Sequence, residues 1–169
     1  MKIADEVRRR IGKLVDLSDD MVLAPPATEA QIAKCEKELG MRFPPSYRAF
    51  LLLHDGATGV LEFDRLFGTK DFGSEWFEEQ KDYWLDADWD EDIFASSVPF
   101  LMAEAGGKVE NFFAFAPPKP GRDVELEVID WDGGAEGERI DDFLTLLDEQ
   151  ISRVEDGDED EDEDEDDDD

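Results

Sequence analysis

The 169-residue chain has one cysteine, Cys35, and one histidine, His54. A single cysteine permits no intrachain disulfide, which fits a reducing compartment. A single histidine leaves only one ordinary base for a Ser-His-Asp or Cys-His arrangement and rules out a histidine-rich metal cluster. Long apolar runs are also missing. The best candidates, Phe50 to Leu53 and Val98 to Ala103, fall far short of the ~20 residues a membrane helix needs. The opening MKIADEVRRRIGKLV has basic residues but no uninterrupted apolar stretch, so it does not read as a signal peptide. There is no glycine-rich phosphate loop followed by Lys-Ser/Thr, and no strand–turn–helix around a nucleophilic serine.

Positive charge is the other scarcity. Lys and Arg number 17 against 48 Asp and Glu, for a formal net charge of -31. The last fifteen residues, Glu155 to Asp169, hold 14 carboxylates and one glycine. Without them, 34 acids still face the same 17 bases, so residues 1–154 carry -17. A body of that sign repels phosphate backbones and anionic membrane surfaces, which argues against direct nucleic-acid or membrane binding. It favours a basic protein partner.

What remains is enough to build a core: 40% hydrophobic residues and 11% aromatic. Ile3, Val7, Ile11, Leu14 and Val15 recur at helical spacing and predict a first helix of roughly 12–15 residues. Thr28 opens a second helix, with Gln31 as its capping-box partner, a stripe of Ile32, Cys35 and Leu39, and Gly40 as terminator. Pro44 and Pro45 start a third, whose buried face reads Tyr47, Phe50, Leu51 and His54. Val60, Leu61 and Phe63 suggest a short strand. Trp76 to Leu85 is moderately helical, with Trp76, Phe77, Gln80 and Trp84 near one side. Three β-like runs follow, Val98 to Ala103, Asn111 to Ala116 and Val124 to Ile129. Turns at Gly106-Gly107 and at Pro117, Pro118, Pro120 and Gly121 separate them, and Asp132, Gly133 and Gly134 make another. A last helix carries Ile140, Phe143, Leu144, Leu147 and Ile151, with Asp141 and Asp142 in its first turn. The links between strands are hairpin-length, so the expected class is α+β with an antiparallel-rich sheet flanked by helices. The expected organisation is one domain over residues 1–154 and a disordered poly-Asp/Glu tail over 155–169.

The stretch Thr28 to Gly56, TEAQIAKCEKELGMRFPPSYRAFLLLHDG, resembles the opening motif of the SUKH superfamily. The matching positions are Ile32, Glu36, Leu39-Gly40, Phe43-Pro44, Tyr47, Phe50-Leu51 and Asp55-Gly56. The likeness continues less tightly through Val98-Pro99-Phe100, Gly106-Gly107, Ile129-Asp130-Trp131 and Phe143-Leu144. Asp55 stands where asparagine is usual, and Lys108 to Phe115 replaces a Gly-Asp-containing turn, which bears on a binding loop. The resemblance implies an α+β fold without catalytic activity or cofactor. Many bacterial members look like immunity proteins that neutralise toxin domains, often nucleases, of contact-dependent or polymorphic toxin systems. Fungal relatives act as scaffolds in cell-wall signalling, which leaves a regulatory or scaffold role as the alternative.

Individual residues sharpen this reading. His54 at a helix C-terminus, where a cation is favoured, reads as structural. Cys35 on a buried stripe reads as a packed small hydrophobe rather than a nucleophile. Asp86, Asp88 and Asp90 imitate the start of a calcium loop, but Glu91 occupies the glycine position and Ser97 the terminal glutamate position, so no metal is expected. Trp84 and Trp89 flank these carboxylates, and Asp130, Trp131 and Asp132 repeat the chemistry at a strand end. Tryptophan among carboxylates can anchor a basic protein partner, and each indole can equally be ordinary core filling. The acidic tail can keep the protein soluble, shield a basic partner or imitate a polyphosphate backbone. The expectation is a cytoplasmic, non-enzymatic binding protein.

Overall fold

A computed structural model describes residues 2–61, 63–86, 97–105, 108–117, 124–132 and 135–160. The chain runs through α1 (Ile3–Leu17), β1 (Val22–Leu23), α2 (Glu29–Leu39), α3 (Pro45–Leu53), β2 (Ala57–Val60), β3 (Phe63–Leu66) and α4 (Glu75–Asp86). It continues with β4 (Val98–Ala105), β5 (Lys108–Phe115), β6 (Val128–Asp132), β7 (Ala135–Ile140) and α5 (Phe143–Asp160). The strands form a seven-stranded antiparallel meander in sequence order, with β1 and β7 at its edges. The fold is α+β, as the hairpin-length links require. No helix among the described residues is long and apolar enough to cross a membrane.

The first three helices follow from local sequence. In α1 the buried positions are Val7, Ile11 and Leu14, one stripe at i, i+4 and i+7. Ile3 and Val15 sit at its margins, 37% and 38% exposed. The α2 capping box is complete: Thr28 Oγ1 accepts the Gln31 N–H at 3.1 Å and Gln31 Oε1 accepts the Thr28 N–H at 2.8 Å. Gly40 ends α2 with φ 71°, and its N–H reaches the Glu36 and Lys37 carbonyls. Pro45 occupies the first turn of α3, where a missing N–H leaves nothing unsatisfied.

Three expectations need correction, and two strands were not anticipated. Val60, Leu61 and Phe63 do not share a strand; they are the end of β2, its turn and the start of β3, with Leu61 at φ 55° reversing the chain. Residues 124–127 precede β6 without joining its ladder, although Ala116 N–H still reaches the Glu127 carbonyl at 2.9 Å. Ile140 closes β7 instead of opening the last helix. Asp142 lies just before that helix and its Oδ1 accepts the Thr145 N–H at 2.8 Å, an N-cap interaction that fixes the start at Phe143. The two edge strands had no signal: β1 has two residues, and β7 (AEGERI) is polar and exposed at every position before Ile140. Charges and glycine on an edge strand discourage pairing with other chains. The helix α5 continues to Asp160, into the acidic tract. The turns at Gly106-Gly107, at Pro118, Pro120 and Gly121, and at Gly133-Gly134 lie outside the described residues, as do residues 161–169.

The core is aromatic and centred on Tyr47. Its ring meets Phe43, Phe100, Phe115 and Phe143 at centroid distances of 5.2, 5.6, 5.1 and 5.3 Å, mostly edge-on. Such pairs each add ~0.5–1.5 kcal/mol beyond burial of area. Tyr47 is fully buried, and its hydroxyl donates to the Phe67 carbonyl, which removes the cost of an orphaned polar group. The phenol is held well above its usual pKa, first by burial and then by the nearby Asp71 charge. Two chains of contacts leave this centre. One runs through Phe143 to α5 and α1. The other runs through Phe72, Phe67 and Phe77 to Trp84 on α4.

Candidate protein-interaction surface

Trp84 on α4 and Trp131 on β6 are core residues, 0% and 1% exposed. Both lie on Phe112 of β5, at 4.6 Å and 6.2 Å between ring centroids. Of the two roles open to these indoles, the structure assigns core filling, because neither offers surface to a partner. What they do instead is join two acidic segments. Asp86 is the last residue of α4, two positions beyond Trp84, and Asp130 and Asp132 flank Trp131 on β6. The end of α4 and the end of β6 therefore share one aromatic base. Asp88, Trp89 and Asp90 lie outside the described residues.

Alternation along β6 decides which carboxylates show. Trp131 points into the core, so Asp130 and Asp132 lie on the opposite side of the strand. Asp130 is half-buried and Asp132 exposed. Burial pushes the Asp130 carboxyl above its ordinary range; the Asp132 charge adds to this and Arg153 opposes it. Next door, Glu136 and Glu138 are exposed on β7. Sequence reading missed these two because β7 has no apolar alternation to announce it. The strand approaches closely here: a Cβ at Gly137 would stand 3.1 Å from the Asp130 carbonyl oxygen. Arg139 is the cation in this neighbourhood on β7, and it is engaged by Glu136 at 2.7 Å and Glu127 at 3.1 Å.

The residues with catalytic potential are tied down. His54 caps the end of α3, and its Nδ1 lies 3.1 Å from the Ala24 carbonyl. Cys35 is buried, with Sγ 3.8 Å from the Thr69 carbonyl, and desolvation followed by the nearby acids pushes its thiol up to about 12. A thiol in that state is a poor nucleophile at neutral pH. No cluster of His, Cys, Asp and Glu among the described residues is arranged to hold a metal.

The model of the SMI1 / KNR4 family (SUKH-1) matches residues 26–168. The chain belongs to that family. No curated protein matches it.

In this SUKH domain the motif from Thr28 to Gly56 is accounted for by folding. Glu36, 8% exposed, accepts the Phe43 N–H at 2.8 Å and faces Arg48 Nε at 3.4 Å, so the α2–α3 link closes on a buried carboxylate. Arg48 also reaches Glu29 at 2.6 Å. Asp55, in the place where asparagine is usual, accepts the Thr69 N–H at 2.6 Å and the Thr69 hydroxyl at 2.8 Å. Two donors on one carboxylate explain why aspartate serves at this corner. Gly68 packs against it so tightly that a Cβ would meet the Asp55 carbonyl oxygen at 2.1 Å. The motif residues thus build the corner of the domain.

Proposed function

We propose that this SUKH domain is a cytoplasmic, non-enzymatic binding module that neutralises a basic, nuclease-like toxin domain as an immunity protein of a bacterial polymorphic or contact-dependent toxin system. The observation that carries the reading is the acidic margin of the sheet, where Asp130 and Asp132 project together from the face of β6 opposite Trp131 and the exposed Glu138 of β7 adds its charge to theirs. A nuclease must present a cationic cleft to phosphates, so this margin offers it charge complementarity and faster, steered association. Asp86, Asp88 and Asp90 follow Trp84 in the sequence and carry the same chemistry, and Trp89 among them is the aromatic anchor of this reading, since Trp84 and Trp131 are committed to the core. The acidic tract adds long-range attraction of low specificity.

The test is co-production with cationic nuclease toxin domains, scored by cell survival and by the stoichiometry and affinity of the purified complex. Rescue with a one-to-one complex supports the reading. Binding should weaken with salt chiefly through the association rate, and should fall at least tenfold in a Trp89→Ala, Asp130→Asn, Asp132→Asn variant that still folds. Several weak partners without rescue point instead to a regulatory or scaffold role. An affinity indifferent to salt overturns the electrostatic basis altogether.

A further inference from the structure

One feature of α1 is out of character with so acidic a molecule. Arg8, Arg9, Arg10 and Lys13 place four of the chain's 17 basic residues within six positions. Arg10 turns inward, clamping Asp148 of α5 through two bonds of 2.9 and 3.1 Å and Glu6 at 2.6 Å. Arg8, Arg9 and Lys13 instead line an open cleft of about 500 Å³, walled by Ile11, Val15 and Leu23 of β1 and reached by His54 from the end of α3. Asp16 is the carboxylate on its lining. Arg8 and Arg9 are held by neighbours one turn away, Asp5 and Glu6, in pairs whose arginine side chains are 62% and 57% exposed. Exposed pairs of this kind exchange partners at little cost. Lys13 has no carboxylate within ion-pair distance among the described residues.

Gly12 lines the same cleft. It sits in the middle of α1, where glycine is a poorer helix former than alanine. Nothing lies within 4 Å of the position its Cβ would take, so no packing in the fold requires the missing side chain. Its effect is to leave the helix backbone open between Arg8, Arg9 and Lys13, with room for a chain to lie there.

We propose that this cleft is a site for a carboxylate-rich peptide segment, and that its occupant is the chain's own acidic tract, residues 161–169. Charge complementarity selects the chemistry, since the cations line one cleft and the tract is nine consecutive carboxylates. Tethering selects the source. A free anion approaching a molecule of net charge -31 is repelled at long range, whereas a segment of the same chain is present at an effective concentration set by its linkage. The reach is sufficient. Arg10 and Asp148 hold α1 beside α5, α5 advances ~18 Å from Asp148 to Asp160, and nine extended residues span up to ~30 Å. A basic partner would compete with the cleft for the same carboxylates, so docking keeps the tract engaged until such a partner arrives.

The experiment uses the full chain carrying Asp167→Cys with a nitroxide attached. Cys35 is buried and stays a thiol, so the label goes to the introduced site. The expected result is selective broadening of the amide signals of Arg8, Arg9, Gly12 and Lys13, several-fold above that at Leu101 on β4. It should vanish in about 0.5 M salt, where the screening length is only a few ångströms, and in an Arg8→Gln, Arg9→Gln, Lys13→Gln variant. Gly12→Glu, at an exposed position, is the second variant and should abolish it by placing a carboxylate in the cleft. Uniform weak broadening, or broadening that survives both variants, overturns the proposal. Broadening of an unlabelled ¹⁵N chain mixed with labelled ¹⁴N chain assigns the contact to a second copy and overturns it as well.

Discussion

Glu125 accepts two hydrogen bonds from Ser46, one from the backbone N–H at 2.8 Å and one from the hydroxyl at 2.7 Å, across 79 positions of sequence. Ser46 is fully buried in the first turn of α3, directly after Pro44 and Pro45. Neither proline can supply an N-cap side chain, so a carboxylate from the segment between β5 and β6 satisfies the free amide and complements the positive end of the helix. Glu125→Ala should therefore destabilise the domain by ~1–2 kcal/mol. Ser46→Ala should cost less when Glu125 is already absent, and denaturant unfolding of the double-mutant cycle measures that coupling.

Gly68 is the position least tolerant of a single methyl group. With a Cβ placed 2.1 Å from the Asp55 carbonyl oxygen, Gly68→Ala must separate the Asp55 corner from the end of β3. The Thr69 bonds to Asp55 would go with it. We expect a loss of ~3 kcal/mol or more, seen as a fall of several degrees or more in Tm, and poor yield of folded protein.

Trp131→Ala should cost ~3–5 kcal/mol, because it empties a fully buried indole site against Phe112. Trp131→Phe should recover much of that. Any effect of these variants on partner affinity should track the fraction folded, measured by circular dichroism on the same samples.

Asp130 gives a pH dependence of definite sign. Its folded-state pKa lies above the ordinary 3.8, mainly through burial, so the folded state favours the protonated acid. The stabilisation from protonation is complete below about pH 4 and is lost as pH rises through the raised folded value. Asp130→Asn should therefore be more stable than the parent at pH 7, with the difference shrinking toward zero below about pH 4. Denaturant unfolding at the two pH values measures it, and a gain that persists in acid would contradict the burial argument.

Gly12→Ala should stabilise the protein by ~0.5–1 kcal/mol, since α1 gains a better helix former and the new methyl group meets nothing within 4 Å. Urea unfolding reads this directly. A loss of stability would mean the position is more crowded than its surroundings indicate.

How far the sequence alone reached depended on whether the signal was local. Thr28 with Gln31, Gly40, and the 7, 11, 14 stripe of α1 each specify their element through neighbours within a turn or two, and the structure has them as read. The helix around Trp84 was legible for the same reason. Leu61 was misplaced because a left-handed turn at a leucine carries no residue signature, and β7 was invisible because an edge strand of exposed polar residues has no alternation to detect. Ile140 looked helical because one apolar residue fits either period; only its pairing with Val128 puts it in β7.

The candidate surface divides along the same line. Composition alone determined the sign of the molecule and the scarcity of redox and imidazole chemistry, while the order of residues from Thr28 to Gly56 carried the family resemblance. Tertiary structure decided that Trp84 and Trp131 share Phe112 inside the core and that Glu138 adds its charge to that of Asp132 near Asp130. It also gathered Arg8, Arg9 and Lys13 with His54 around one cleft. Those outcomes depend on strand order and on which face each strand buries, and both are set by contacts between residues far apart in the chain. Charge is a sum over residues and can be read from a list; a surface is an arrangement, and it exists only once the core has chosen which side chains to hide.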